Sequence, residues 1–416
     1  MMKKGSLVLR GGRIIDPATD TDMKTDLHIE NGEIFPFSLS IHPTVIDVSG
    51  LIITPGLVDI HSHLFATGGN PASWVGDLSV NPDCFSFRSG VTTMVDAGSS
   101  GWRNYDLFHA TVIERAKTRV FAMLNVSAWG MVNLGAEQRL SDMIDTNEIE
   151  SFFRWKPNNI VGIKTAHYEG HGWEPVERAV QLGDKAGLPV MVDFGYFVKE
   201  RPYWQLVTEK LRKGDISTHC FRSTVPITDE EGKLYPYLTQ ARERGVFFDL
   251  GHGAGSFDFR RAAPAIEQEF YPDSISTDLH ADSMNGAMMD MPNVISKLLA
   301  LGMPLDEAIL RSTYIPACMI GHSELGNFSV GAPADVAVWN IRHSADEKYG
   351  KKFGFKDNYG GRVYGTERLE CELTLKGGEV VWDRNARSVP ESVPTDAGIR
   401  EGEVIVRPAG SGAKAP

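Results

Sequence analysis

The chain has no cluster of basic residues, no long apolar run and very little cysteine, and each lack closes off a class of function. Its 416 residues carry 42 Lys and Arg against 54 Asp and Glu, a formal net charge of −12. With basic residues neither in excess nor clustered, a nucleic-acid partner is not expected. No apolar run reaches the ~20 residues that a membrane-spanning helix needs. Met1 to Arg10 holds two lysines with no long apolar stretch behind them, so no secretory signal and no membrane partner are expected. Cys84, Cys220, Cys318 and Cys371 are the whole cysteine complement, and no two form a Cys-x-x-Cys pair. Reduced thiols in a cytoplasmic protein are expected from this, and neither a disulfide frame nor a thiolate zinc site.

What is present begins with enough apolar material, 42% of residues, to fill a large domain and a smaller one. Residues 6–53 read as short strands around Leu7-Val8-Leu9, Arg13-Ile14-Ile15, Asp26-Leu27-His28-Ile29 and Val45-Ile46-Asp47-Val48, with Asn31-Gly32 as a hairpin turn. From residue 56 the rhythm changes. Strand-like runs at Leu57–His61, Val91–Asp96, Arg119–Val126, Ile160–Lys164, Pro189–Phe194, Ile216–His219, Val246–Leu250 and Ser274–Asp278 alternate with helical stretches such as Trp173–Ala186, Pro202–Arg212, Tyr235–Arg244 and Asp258–Phe270. Eight such units predict an α/β fold, a closed (β/α)8 TIM-like barrel of parallel strands. After residue 325 strand patterns return at Ala334–Trp339, Leu373-Thr374-Leu375 and Glu379–Trp382. The expected organisation is a small β-sandwich domain built from both chain ends (residues 1–54 and 326–385), a barrel over 55–325, and a loosely ordered tail over 386–416.

The stretch that organises the rest is Pro55-Gly56-Leu57-Val58-Asp59-Ile60-His61-Ser62-His63. On an extended strand, residues i and i+2 point the same way, so His61 and His63 can aim both imidazoles at one point. Neutral imidazole is the commonest metal ligand. Taken alone, a His-x-His pair is as consistent with two surface histidines at a strand end. A barrel places its working groups at the carboxyl ends of strands, and the polar residues that end these runs are His61, His63, Asp96, Lys164, Asp193, His219, His252 and Asp278. That many metal-ligand types at strand ends favours a site.

These motifs resemble the amidohydrolase superfamily. The barrel-opening segment is similar to its first metal motif and Gly90–Ser99 to its second strand. Thr218-His219-Cys220-Phe221, Asp249-Leu250-Gly251-His252-Gly253, Ser276-Thr277-Asp278-Leu279-His280 and Ser329–Asp335 narrow the likeness to its dihydroorotase-like amidohydrolase/deacetylase branch. The resemblance runs from about residue 6 to 385. It implies a site for two divalent metal ions, zinc by default with manganese or iron as options. His61 and His63 hold the first ion, a CO2-derived carbamate on Lys164 bridges both, and His219 binds the second. Asp278 touches the first ion and serves in turn as general base and general acid for water attacking the scissile bond. The activity implied is hydrolysis of a C–N amide bond in a small-molecule substrate, an N-acyl amino acid or cyclic amide, or an ester. The branch also leads one to expect a homo-oligomer. The alternatives are a one-metal deaminase of the same superfamily and a non-catalytic scaffold.

Two positions depart from the branch pattern. Its fifth strand supplies a histidine to the second ion, and Pro189–Gly195 carries Asp193 there; the expectation is that Asp193 replaces that ligand, the alternative being a weak or empty second site and a protein that works with one metal. After Lys164 the segment Thr165-Ala166-His167-Tyr168-Glu169 lacks the arginine common there. His167, His252 within its glycine-flanked run, and His280 are weaker candidates for substrate contact. Gly68-Gly69 and Gly98-Ser99-Ser100-Gly101 read as loops over the mouth.

Overall fold

The computed structural model describes residues 5–65, 78–132, 137–143, 158–193, 195, 198–344 and 352–389. Gly68-Gly69, Phe194 and the tail from residue 390 onward lie outside these residues. Seven strands, Leu57–Ser62, Val91–Ala97, Arg119–Asn125, Ile160–Thr165, Val190–Asp193, Ile216–Thr218 and Phe247–Phe248, pair in chain order into one parallel sheet. Every residue of the first, second, fourth and fifth is buried. That is why these runs read as near-continuous apolar segments rather than alternating ones, since a barrel sheet is covered on both faces.

The expected eighth strand, Ser274–Asp278, is not a regular strand. The segment fills the eighth position through isolated parallel bridges, Asp249 to Ser274 on one side and Ser62 to Leu279 on the other. Leu250 N donates to Ser274 O, His252 N to Ser276 O, Gly253 N to Thr277 O and His63 N to Leu279 O, so the ring closes. The pairing stops short of a ladder because Asp278 turns into left-handed backbone, φ 49°, where strand geometry cannot continue.

The helices are set by local signals. Glu174–Ala186 starts with Pro175, carries Glu174 and Glu177 in its first turn and Lys185 in its last, and ends on Gly187 at φ 64°. It buries Val176, Ala179, Leu182 and Gly183 against the sheet. Pro236–Glu243 buries Leu238 and Ala241, and Phe259–Glu267 buries Phe259, Ala262, Ala265 and Ile266. The stretch 203–210 begins helically and then widens into a π turn over Leu206–Lys210. Inside the barrel, Val58, Ile60, Val95, Ala97, Phe121, Met123, Val161, Met191 and Ile216 join Ala317, Met319, Ile320 and Leu325 in one apolar cluster. The segment 318–321 lies beside the turns at 187–189 and 213–214 that lead into the strands. The amino end of the barrel is therefore plugged, and the carboxyl end is left for chemistry.

Both chain ends build the β-sandwich. One sheet has four strands (Glu33–Phe35, Leu27–Glu30, Ser6–Arg10, Thr44–Asp47). The other has six, in which Ile52–Pro55 from the N-terminal half pairs antiparallel with Val336–His343 from the C-terminal half. Leu9, Ile29, Ile46, Ile53, Val336, Val338, Leu373 and Leu375 fill the space between them. A further hairpin, Phe353–Lys356 with Arg362–Gly365, reaches from this part of the chain to the barrel mouth. At its tip, Asn358 Oδ1 accepts from Phe257 N at 2.9 Å, and the Tyr359 hydroxyl donates to Gly255 O at 2.6 Å.

Candidate metal centre and active site

A cavity of about 400 Å³ opens at the carboxyl end of the barrel, and His61, His63, Lys164, His167, Asp193, His219, Asp278 and His280 all line it. Eight of the nine candidate residues thus meet in one place. The ninth, His252, stands behind the wall. It is fully buried, with Nε2 2.7 Å from Lys297 Nζ and its ring stacked on Phe257.

The first strand delivers its histidines as the His-x-His spacing requires. His61 Nε2 lies 3.6 Å and His63 Nε2 3.1 Å from Asp278 Oδ1. The opposite nitrogens are tied down. His61 Nδ1 is 2.9 Å from Thr218 Oγ1 and 3.3 Å from Asp249 Oδ2, and the Thr218 hydroxyl itself donates to Asp249 at 2.6 Å. His63 Nδ1 is 3.0 Å from Ser99 Oγ. His219 Nδ1 donates to Gly251 O at 2.6 Å. With Nδ1–H given to a carboxylate or a carbonyl, the bare nitrogen is Nε2, and it faces the cavity. Burial and the nearby Lys164 push the His61 pKa down to about 3, so the ring is neutral and its lone pair is available.

Lys164, next to last in the fourth strand, is 1% exposed. Its Nζ is 3.2 Å from His61 Nε2 and 3.4 Å from Met191 Sδ. Burial lowers its pKa although Asp193, Asp278, Asp249 and Glu137 pull the other way. At Asp278 the balance is reversed: burial opposes the charge, but His61, His63 and His280 hold the carboxyl well below the ordinary range. Asp193 behaves likewise through Arg222 and His219, and Arg222 Nη1 donates to its Oδ1 at 2.7 Å. At His167 burial disfavours the charge, yet Glu137 and Asp193 prevail and its pKa is raised.

Glycines make the crowding possible at two points. A Cβ on Gly98, which sits at φ 90°, would lie 2.6 Å from Lys164 Cγ, and one on Gly253, at φ 53°, would lie 2.3 Å from Asp278 Oδ2. The Gly98-Ser99-Ser100-Gly101 segment is thus no loop over the mouth. Ser99 and Ser100 are buried, Ser99 against His63. His280 caps the short helix Ala281–Met284, reciprocally with Ser283.

Residues that the sequence reading did not single out surround this set. Asp249 orients His61, Glu137 orients His167, and Arg222 clamps Asp193. Tyr359 reaches the cavity wall from the distant hairpin. The donor set fits divalent metal. Among the described residues, ligand atoms of His61, His219 and Asp278 all lie within 4.8 Å of one another. Buried carboxylates outnumber the cations that face them, and bound divalent ions answer such a surplus. Asp249→Asn is expected to weaken metal binding about 10–100-fold while the protein stays folded, the usual cost of losing a carboxylate behind a ligating histidine. Competition with a fluorescent chelator measures it.

Lys297 supplies a second, pH-dependent expectation. It is buried beneath His252 and donates to Ala287 O at 2.6 Å. Burial pulls its pKa from 10.5 to about 7. The unfolded chain therefore binds a proton that the folded chain does not between about pH 7 and 10.5, so this group's contribution to stability rises with pH across that window. Urea unfolding at pH 7, 8 and 9.5 should show wild type gaining on Lys297→Met as pH increases; a pH-independent gap between the two proteins contradicts it.

Known proteins resemble the chain over most of its length. No family model matches the chain. A curated deacetylase from Brucella anthropi is 34% identical over 335 residues, which span 77% of this chain and 80% of that protein. The solved structure of an adenine deaminase aligns with a TM-score of 0.79 at 26% identity, over 91% of this chain and 100% of the other. That of a dihydroorotase aligns with a TM-score of 0.77 at 28% identity, over 91% and 99%. At the identity and coverage of the deacetylase, the chain belongs to the deacetylase-like family of the amidohydrolase superfamily. It is a hydrolytic enzyme of a class that works with divalent metal ions. Among the described residues no helix is long and apolar enough to cross a membrane.

Proposed function

We propose that the protein hydrolyses the C–N bond of an N-acylated or cyclic-amide small molecule with two divalent ions, of which zinc is the default. His61 and His63 would hold the first, His219 and Asp193 would serve the second, and Lys164, as a carbamate, would supply a carboxylate to both. The observation that carries this reading is the placement of Lys164. Its amine lies 3.2 Å from His61 Nε2, and burial drives it towards the neutral form although Asp193, Asp278 and Asp249 pull the other way. The neutral amine adds CO2, forming an N–C bond and releasing one proton, and what results is a carboxylate-like bridge on a strand end.

When bound, the ions lower the pKa of water and polarise the scissile carbonyl. The chain does the rest. Asp278, ionised and 3.1 Å from His63 Nε2, takes the proton of the attacking water and returns it to the leaving nitrogen. His280 and Tyr359 line the same cavity and are placed to meet substrate. Arg222 keeps Asp193 ionised and in place.

A hydrolysis screen of N-acyl amino acids, acylated hydroxy acids and cyclic amides, run on zinc- and manganese-loaded protein, tests the reading. Carboxylate release from an amide is the expected result. Ammonia release from aminopurines without any acyl cleavage would favour the deaminase reading, which the adenine deaminase neighbour brings forward, and overturn this one.

A further inference from the structure

The fifth strand is where this centre departs from its branch, and the geometry around it points to another histidine. Four imidazoles, those of His61, His63, His167 and His219, turn Nε2 towards the cavity and have Nδ1 tied to a protein oxygen. For His167 that oxygen is Glu137 Oε2, at 2.7 Å. Glu137 is 2% exposed, and its other oxygen accepts from Asn125 Nδ2 at 2.8 Å. A buried carboxylate behind Nδ1 is how proteins set the tautomer and direction of a ligating histidine. A substrate-contacting histidine in a loop has no need of it.

The backbone agrees. His167 has φ 59°, His219 φ 58° and Asp278 φ 49°. They are the non-glycine residues of the cavity wall in left-handed backbone, among those described. Such a conformation persists only where the surroundings over-determine it. Here Gln138 Nε2 donates to His167 O, and Arg201 Nη2 donates to Tyr168 O at 2.8 Å, so the loop is held in its bend.

Distances decide between an ion pair and a shared ion. His167 Nε2 and His219 Nε2 each lie 3.5 Å from Asp193 Oδ2. A charge-assisted hydrogen bond closes to about 2.7–2.9 Å. Two ligands on one tetrahedral zinc, each at about 2.0–2.2 Å from it, sit roughly 3.4 Å apart. The Asp193 contacts match the second figure, whereas the same carboxylate meets Arg222 at 2.7 Å. An aspartate side chain is also shorter than a histidine, so a ligand set that loses the fifth-strand imidazole has room for one from the neighbouring loop.

We infer that His167, reaching in from the loop after the fourth strand, is a ligand of the second ion, with Asp193 Oδ2 between it and His219 and with Glu137 as the carboxylate that aims it. This rests on the two-ion reading above. It assigns to the ion a residue that the sequence suggested for substrate, and makes Asp193 one member of a new pair.

The test strips the full-length protein with a chelator, refills it with zinc, and counts ions per chain after gel filtration; a cobalt refill reads the ligand field by visible absorption. Wild type is expected to hold two ions and His167→Ala one, with a changed cobalt spectrum. Free imidazole should restore the second ion to His167→Ala. Glu137→Gln should keep His167 but weaken the second ion about 10–100-fold. Two ions at wild-type affinity in His167→Ala, beside two in wild type, would overturn the assignment and leave the two-ion reading standing. A single ion in wild type removes both. Should His167→Ala fail to fold by circular dichroism, the Glu137→Gln affinity decides, and no weakening there overturns the assignment.

Discussion

Asp278→Asn should retain its metal and lose hydrolysis, with kcat down by about 10³. General acid–base catalysis contributes about 10²–10⁴, and one carboxylate here handles both proton transfers. The isosteric amide keeps an oxygen where Oδ1 faces His61 and His63 at 3.6 and 3.1 Å. It has no charge to accept a proton. In the wild type the facing histidines hold this carboxyl well below its usual range in spite of burial, so the base is ionised at neutral pH. Single-turnover rates beside metal analysis check both halves of the expectation. Turnover within tenfold of wild type would remove Asp278 from the reaction.

The second large effect is expected at Lys164. Lys164→Ala should leave at most one ion per chain and lower kcat by a comparable factor, and a small carboxylate such as formate or propionate, entering the space left by the side chain, should recover part of both. The reason is local. The side chain is buried at 1% exposure, packed under Gly98, and adjoins Met191 Sδ and His61 Nε2. Full metal content and full activity in the variant would count against the carbamate. Metal loss without rescue by any carboxylate would point to a packing role instead.

Much of this was legible in the chain itself, for a physical reason. Strand-end residues are fixed by a short-range pattern, so His61, His63, Lys164, Asp193, His219 and Asp278 emerged from the places where apolar runs stop. The groups that aim those side chains did not, because their partners are far away in sequence. Asp249 meets His61 across 188 positions, and Arg222 meets Asp193 from a loop on another strand. His252 shows how a sound inference can land on the wrong atom. Its flanking glycines do allow a close approach, but what approaches is protein. Side chains at Gly251 and Gly253 would strike His219 and Asp278, and His252 itself turns away to Lys297. The eighth strand was read from composition alone. Its left-handed exit at Asp278, which angles the carboxylate towards the two histidines, has no signature in hydropathy.

The hairpin that reaches back from the C-terminal half has one more consequence. Because Asn358 and Tyr359 are stitched to the backbone at Phe257 and Gly255, the rim of the catalytic pit is assembled from segments about a hundred positions apart. Exchanging this hairpin between relatives would remodel what enters without disturbing a single ligand. A barrel cut free at residue 325 would lose its doorframe.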